Sequence, residues 1–132
     1  MGTPLVLQPV SSNGYTLSGS ATTLLDNNGA ADQGILEAPV VAKSGSYYFL
    51  LFSSGCYTTT HYNVDYAYAS SITGPYTRAS APLISTGTNG LSGPGGGDVS
   101  KDLKYLAFHA NYGSGRALYT ARITQSGTTL SI

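Results

Sequence analysis

A pattern of short strands that occurs twice constrains the fold of this chain more than any other feature of its sequence. In residues 38–53 a short strand leads through a polar turn to an aromatic and aliphatic strand that ends in phenylalanine, and residues 97–109 follow the same order. A third, alternating strand follows each time, at 64–69 and at 117–123, and a fourth short strand is expected to close each unit. Four strands per unit is the construction of a β-propeller blade.

The rest of the chain also predicts an all-β fold. No stretch carries the apolar spacing of an amphipathic helix with caps, whereas short runs rich in Tyr, Val, Leu and Thr alternate with clusters of Gly, Ser, Asn and Pro. The predicted strands cover residues 4–10, 15–17, 37–43, 47–52, 63–70, 76–78, 99–101, 105–109, 116–123 and 129–132.

The predicted units divide the chain into about two and a half four-stranded blades. Residues 37–89 form one complete blade, residues 90–132 form a final blade, and residues 1–36 supply the outer two strands of an incomplete one. A propeller closes with four to eight blades. We therefore expect exposed sheet faces that are covered by missing N-terminal blades or by a second copy of the chain.

Composition excludes two classes of partner. Six Lys and Arg balance six Asp and Glu, so the chain lacks the basic surface that binds nucleic acid or an anionic membrane. The longest apolar run, at 47–52, is far shorter than the roughly 20 residues of a membrane span. The N-terminus has no basic and apolar secretory signal.

Five blocks of sequence, which together cover nearly the whole chain, resemble the family 43 glycoside hydrolases and above all their fungal members. The blocks are Leu-Glu-Ala-Pro-Val-Val at 36–41 with the strand and loop at 47–57, Ser-Ile-Thr-Gly-Pro-Tyr at 71–76, Gly-Pro-Gly-Gly-Gly-Asp-Val at 93–99, Phe-His-Ala at 108–110 and Gly-Arg-Ala-Leu-Tyr at 115–119. The resemblance implies the C-terminal half of a five-bladed β-propeller that has its active site at the mouth of the central channel. It also implies inverting hydrolysis of arabinose- and xylose-containing plant polysaccharides, outside the cell.

Inverting hydrolysis needs a carboxylic acid that protonates the leaving oxygen and a carboxylate that activates water, about 6.5–9.5 Å apart. By the resemblance Glu37, the only Glu of the chain, is the general acid. Its neighbours Leu36, Ala38 and Pro39 are expected to bury it partly, because partial burial raises the pKa of a carboxyl that must donate a proton. Taken without the family, Glu37 is more simply interpreted as an exposed residue at the start of a strand.

The family's base and its third, pKa-modulating Asp have no matching motif in this chain. Asp26 and Asp32 are predicted to be solvated turn residues, and Asp65 to lie on an outward face or to be a cross-strand partner. Asp102 lies in a turn, whereas Asp98 is expected to begin the inner strand of the last blade, near the start of Glu37's own strand. The chain alone is therefore expected to hydrolyse its substrates very slowly or not at all. The alternative is a non-catalytic carbohydrate-binding or self-assembling half-propeller.

Four residues are predicted to contact a carbohydrate substrate: His109, Arg116, Tyr57 and Asp98. The alternatives are a His packed under a loop, a strand-end cation in solvent and an aromatic residue at the rim. Family members often carry a channel His that binds a cation or its waters.

This chain has Gly96 at that position, so neither a metal site nor a cofactor is predicted. Cys56 is a buried filler, a free thiol or half of a bridge to another chain.

Overall fold

The computed structural model describes residues 2–132, and these residues form β-strands joined by turns. The strands are β1 Leu5–Leu7, β2 Thr22–Leu25, β3 Leu36–Ser44, β4 Tyr47–Ser54, β5 Asp65–Ala69, β6 Thr77–Arg78, β7 Gly95–Val99, β8 Tyr105–Tyr112, β9 Gly115–Arg122, β10 Thr124–Ser126 and β11 Thr129–Ser131. A single turn of 3-10 helix lies at Thr88–Gly90. The predicted all-β class is therefore confirmed. Residues 2–132 contain no helix of the length and apolarity that a membrane span requires.

The strands pair in chain order to give four antiparallel sheets. A four-stranded sheet, β3-β4-β5-β6, lies at the centre, and a three-stranded sheet, β7-β8-β9, follows it. Two smaller sheets, β1-β2 and β10-β11, have two strands each. The four sheets do not close into a ring within residues 2–132.

The central sheet is buried on both faces, which explains the continuous apolar run of β4. Phe49 and Leu51 face a core shared with the β7-β8-β9 sheet, whereas Leu50 and Phe52 face a second core shared with the β1-β2 sheet. A strand that is half solvated alternates apolar with polar residues, and a strand buried on both sides does not. The sheets therefore lie side by side, with the central one between its two neighbours.

The last large sheet has a covered face and an open one. Along β9 the side chains of Tyr119 and Ala121 pack against the shared core, but Leu118, which points to the other face, is 76% exposed. The outer face of this sheet is therefore free in the part of the chain that the structure describes.

Some strand predictions were wrong, for reasons visible in the packing. Residues 15–17 form no strand, because Tyr15 and Leu17 are exposed and a single bridge joins Val10 to Leu17. Strand β2 was missed. β7 runs from 95 to 99 and meets the predicted strand at 99–101 only at its last residue.

The fourth strand expected in the last blade is also absent from the β7-β8-β9 sheet. Residues Thr129–Ser131 pair with β10 instead. This hairpin buries Leu130 in the shared core, where its amide donates to the Tyr66 hydroxyl at 3.2 Å. Burying Leu130 therefore takes the end of the chain away from the open edge of β9.

Two Asp residues that were predicted to be solvated or outward-facing are buried, because Arg78 on β6 compensates their charge. The Arg78 guanidinium donates to both carboxylate oxygens of Asp32, at 2.8 and 3.0 Å, and Asp32 is 2% exposed. Arg78 also lies 3.8 Å from Asp65, which accepts a hydrogen bond from Ser54 at 3.0 Å. Burial raises the pKa of the Asp65 carboxyl. This ion pair ties the loop around Asp32 to the central sheet.

We expect Arg78→Leu to lower the free energy of unfolding by about 3 kcal/mol, because it leaves the Asp32 carboxylate buried without a counter-charge. Urea unfolding followed by circular dichroism measures the loss. Arg122→Leu is the matched control: Arg122 is exposed and packs on the Tyr105 ring, so its loss should change stability by less than about 0.5 kcal/mol. Equal effects of the two substitutions would contradict the assigned role of the ion pair.

Candidate active site

The first strands of the two large sheets carry the same irregularity at the same place. Glu37 pairs with Ser53 and Val40 with Leu51, so β3 has one more residue than β4 between these pairs. In the second sheet, Gly95 pairs with His109 and Asp98 with Ala107, so β7 has one more residue than β8 between these pairs. The backbone is left-handed after each first pair, with φ of 50° at Ala38 and 61° at Gly96. Such bulges redirect side chains at sheet ends.

The bulges show which residues of the two strands correspond. Glu37 is equivalent to Gly95, and Val40 to Asp98. The sequence repeat suggested that Asp98 begins its strand near Glu37. The pairing places it further along the strand, level with Val40. Its side chain is exposed and accepts a hydrogen bond from the amide of Val99 at 2.8 Å. Substrate contact by Asp98 stays a prediction, and this position gives it no support.

The missing side chain at Gly95 makes room for Tyr62. A Cβ atom at Gly95 would lie 2.0 Å from Cε1 of the Tyr62 ring. The ring lies against the strand, is 2% exposed, and places its hydroxyl where it donates to Oε1 of Glu37 at 2.7 Å. Tyr62 was not predicted as a site residue, because it is one of 11 Tyr residues and no motif marks it.

Glu37 itself is exposed, so the burial expected from its neighbours is not found. Leu36 is buried, but Ala38 and Pro39 are exposed as well. In residues 2–132 the Glu37 carboxylate is therefore held by one buried hydroxyl and is otherwise open to solvent. Proton donors and acceptors can reach it from outside this part of the chain.

Arg116 holds the imidazole of His109 in one tautomer. The Arg116 Nε–H donates to Nδ1 of His109, so Nδ1 is an acceptor and the neutral ring carries its proton on Nε2. Burial, and then the Arg116 charge, lower the pKa of His109, which keeps it neutral. Nε2 lies next to Gly96, where a Cβ atom would be 2.3 Å away.

All five N–H groups of Arg116 have acceptors in the protein. Apart from Nδ1 of His109, the acceptors are the carbonyl oxygens of Tyr57, Gly93 and His109 and Oδ1 of Asn111. The guanidinium also lies 5.4 Å from the centre of the Tyr62 ring. Arg116 is therefore not the solvated strand-end cation of the alternative interpretation. Its direct contact with a sugar stays a prediction, with no free N–H to make it.

The loop after β4 presents Tyr57 and Cys56 beside this cluster. Arg116 holds the Tyr57 carbonyl at 2.9 Å, while the Tyr57 side chain is 56% exposed. Cys56 is half-buried rather than a buried filler, and the hydrogen bond with the Thr58 hydroxyl lowers its thiol pKa. His61, in the same loop, is exposed.

The cluster gives a side-chain metal ligand no room at the position where the resemblance would place one. His109 fills the space above Gly96, so no side chain can extend from position 96 while the imidazole stays there. Within residues 2–132, no three His, Cys, Asp or Glu side chains lie together as a ligand set.

Comparison with known proteins assigns the family. The sequence profile described as "Glycosyl hydrolases family 43" matches residues 2–128. The chain belongs to glycosyl hydrolase family 43. None of the curated proteins matches it closely enough to count as a relative.

Solved family 43 structures share the fold. The Bacillus subtilis arabinanase has 25% identity and a TM-score of 0.78, with 96% of this chain and 47% of that chain covered. The Bacillus licheniformis endo-arabinanase has 23% identity and a TM-score of 0.79, with 96% and 48% covered. The Bacillus halodurans xylan beta-1,4-xylosidase has 25% identity and a TM-score of 0.77, with 96% and 26% covered. The chain thus spans about half the length of the two arabinanases.

Gly95→Ala should lower the free energy of unfolding of this family 43 chain by about 1–3 kcal/mol, because the new methyl group meets the Tyr62 ring. Gly115→Ala is the control: Gly115 also lies in a strand, and a Cβ atom there has no atom within 4 Å. Chemical unfolding of both variants measures the difference. Equal stability of the two would contradict the close approach of Tyr62 to β7.

Stability should fall between pH 10 and about 12, because burial and the hydrogen bond to Glu37 raise the pKa of Tyr62 from 10.0 to about 12. In this range the unfolded chain releases the Tyr62 proton while the folded chain still holds it, and this difference favours unfolding as the pH rises. Unfolding free energies across the range measure the slope. Tyr62→Phe should make it shallower, and an unchanged slope would contradict the raised pKa.

Proposed function

We propose that this chain is the part of a family 43 glycoside hydrolase that supplies the general acid, Glu37, for inverting hydrolysis of arabinose- or xylose-containing polysaccharides. The observation that carries the proposal is the Glu37 carboxylate at the head of β3, open on one side and fixed by Tyr62 at 2.7 Å on the other. A proton donor must be both reachable and fixed in position, because misplacement weakens proton transfer.

In the proposed reaction the protonated Glu37 gives its proton to the glycosidic oxygen. The bond from that oxygen to the anomeric carbon breaks, and its electron pair stays on the oxygen. A water molecule attacks the anomeric carbon from the opposite face and loses its proton to a carboxylate base. We propose that this base belongs to blades outside the present sequence. The whole enzyme is then a five-bladed propeller that acts outside the cell.

His109 and Tyr57 are the substrate-binding residues that the geometry supports best. The Nε2–H of His109 can donate to a sugar oxygen, since Arg116 keeps the ring neutral and in this tautomer. The exposed ring of Tyr57 can stack on a sugar face, as aromatic side chains with one open face do. Arg116 then acts through His109 and the Tyr57 loop. No cation takes part in this proposal.

Exposed aromatic side chains also favour a second candidate function, which is carbohydrate binding without cleavage. Tyr57 and Tyr112 are both exposed. Arg116 donates to the Tyr57 carbonyl and to Asn111, the residue before Tyr112, so one guanidinium holds the two segments that carry these rings. A binding module needs this surface and has no use for a proton donor. Affinity for xylan or arabinan oligosaccharides that survives Glu37→Gln, with no hydrolysis, would support this candidate against the first.

The acid role of Glu37 is tested with aryl arabinofuranosides and xylosides in the presence of azide, which can attack the anomeric carbon in place of base-activated water. Phenyl glycosides need a proton on the leaving oxygen, whereas dinitrophenyl glycosides do not. We expect Glu37→Gln to lower kcat on the phenyl substrates by about 10²–10⁴-fold and on the dinitrophenyl substrates by much less.

Asp102→Asn is the control, because Asp102 is an exposed carboxylate in a turn of the last sheet. It should leave both rates unchanged. Equal rates for wild type and Glu37→Gln on the phenyl substrates would overturn the acid role.

A further inference from the structure

Residues 55–62, in the loop that joins β4 to β5, begin and end beside Glu37. Ser53 on β4 pairs with Glu37, and Tyr62 at the far end of the loop donates to its carboxylate. The loop therefore leaves the candidate active site and returns to it. Between these ends it carries Tyr57, whose side chain is 56% exposed.

One flank of this loop is bound to the segment that precedes β3. The amide of Gly55 donates to the Asp32 carbonyl at 3.1 Å, and the amide of Cys56 donates to Oε1 of Gln33 at 3.3 Å. Asp32 is itself held by Arg78 on β6. The start of the loop is thus tied to the buried ion pair of the central sheet.

The other flank is bound to residues 86–93, which precede β7. Arg116 donates to the Tyr57 carbonyl at 2.9 Å and also to the Gly93 carbonyl. A Cβ atom at Gly93 would lie 2.8 Å from the carbonyl oxygen of Thr59, so the two backbones meet closely at this point. The middle of the loop is therefore held against the chain that leads into the next sheet.

Thr86 contacts both of these segments with one hydroxyl group. Its oxygen accepts from the Gly93 amide at 2.8 Å, and its proton is donated to the Thr60 carbonyl at 2.5 Å. A backbone amide can only donate and a carbonyl can only accept, so the directions of both hydrogen bonds are fixed. One side chain therefore joins the chain before β7 to the loop after β4.

We propose that residues 55–62 form a binding subsite for the sugar on the leaving side of the scissile bond, with the Tyr57 ring as its stacking surface and Thr86 as its positioning residue. The inference deepens the proposed function and rests on the acid role of Glu37. A general acid must lie beside the oxygen that joins two sugar units. A loop that begins and ends at the acid, with its aromatic ring exposed, lies next to the unit that leaves. The ligand of this subsite is therefore an oligosaccharide of at least two units.

The contacts on both flanks matter because they order the loop before a sugar binds. A Tyr ring on a free loop must be ordered on binding, and the free energy of ordering is subtracted from the affinity. In a loop that is already held, stacking contributes to affinity without this loss. A purely structural role of Thr86 would weaken the binding of every ligand alike, whereas a subsite affects only ligands that reach it.

The test of the stacking surface compares two ligands by calorimetry. One is a methyl xyloside or arabinoside, and the other is the corresponding disaccharide with sulfur in place of the linking oxygen, so that it is not hydrolysed. We expect the wild type to bind the disaccharide more tightly. Tyr57→Ala should lower the affinity for the disaccharide about fivefold and leave the methyl glycoside unchanged. Tyr57→Phe, which keeps the ring, should bind both ligands as the wild type does.

The test of Thr86 uses a substitution that preserves its shape and one that preserves its hydroxyl. Thr86→Val should lower the affinity for the disaccharide about threefold, with the methyl glycoside unchanged, and Thr86→Ser should bind like the wild type. Thr77→Val is the matched control, because Thr77 is an exposed residue on β6, the strand of the central sheet furthest from β3. An equal loss for both ligands in Thr86→Val would overturn its role as a positioning residue.

The subsite and the acid role fail in different ways. A wild type that binds the disaccharide no more tightly than the methyl glycoside would overturn the subsite, whatever the azide kinetics show. So would a Tyr57→Ala variant with wild-type affinity for both ligands. A gain in affinity that Tyr57→Ala removes, together with no effect of Glu37→Gln on phenyl substrates, would support sugar binding by Tyr57 and overturn the acid role.

Discussion

The packing around the start of β7 depends on three residues without side chains. Gly95 faces the Tyr62 ring, Gly96 faces His109, and a Cβ atom at Gly97 would lie 3.0 Å from Leu106 and 3.4 Å from Val64. A side chain at Gly95 would push β7 away from Tyr62, and one at Gly96 would displace His109 on the neighbouring strand β8. Because they are absent, a Tyr and a His from different parts of the chain can meet beside Glu37, and the candidate site lies at this junction.

Much of this architecture could be predicted from the sequence, because it depends on local patterns. The apolar run of β4 and the polar turn before it define the centre of the large sheet, and the Glu-Ala-Pro block places Glu37 at its edge. The place of Asp98 could not be predicted. The chain from Val40 to Leu51 is two residues longer than the equivalent chain from Asp98 to Ala107, so counting back from the aromatic strands gives the wrong equivalence.

Tyr62 and the buried Asp residues escaped prediction for a different reason. Asp32 looks like a turn residue until Arg78, 46 positions later, is seen beside it. Tyr62 stands in a loop among other Tyr residues, and its role follows only from its contacts with Gly95 and Glu37. Long-range pairs of this kind have no signature in spacing, since their distance along the chain is unrelated to their distance in space.

The chain holds its acidic residues in two ways, and the difference fits the role that we propose for Glu37. Asp32 is buried against a guanidinium that compensates its charge, which suits a structural ion pair. Glu37 is held by the neutral Tyr62 hydroxyl, while the nearby Arg116 donates its five N–H groups to other acceptors. A neutral donor fixes the geometry of the carboxyl and adds no positive charge beside it. In the proposed reaction, further groups approach the open side of Glu37 from outside these residues.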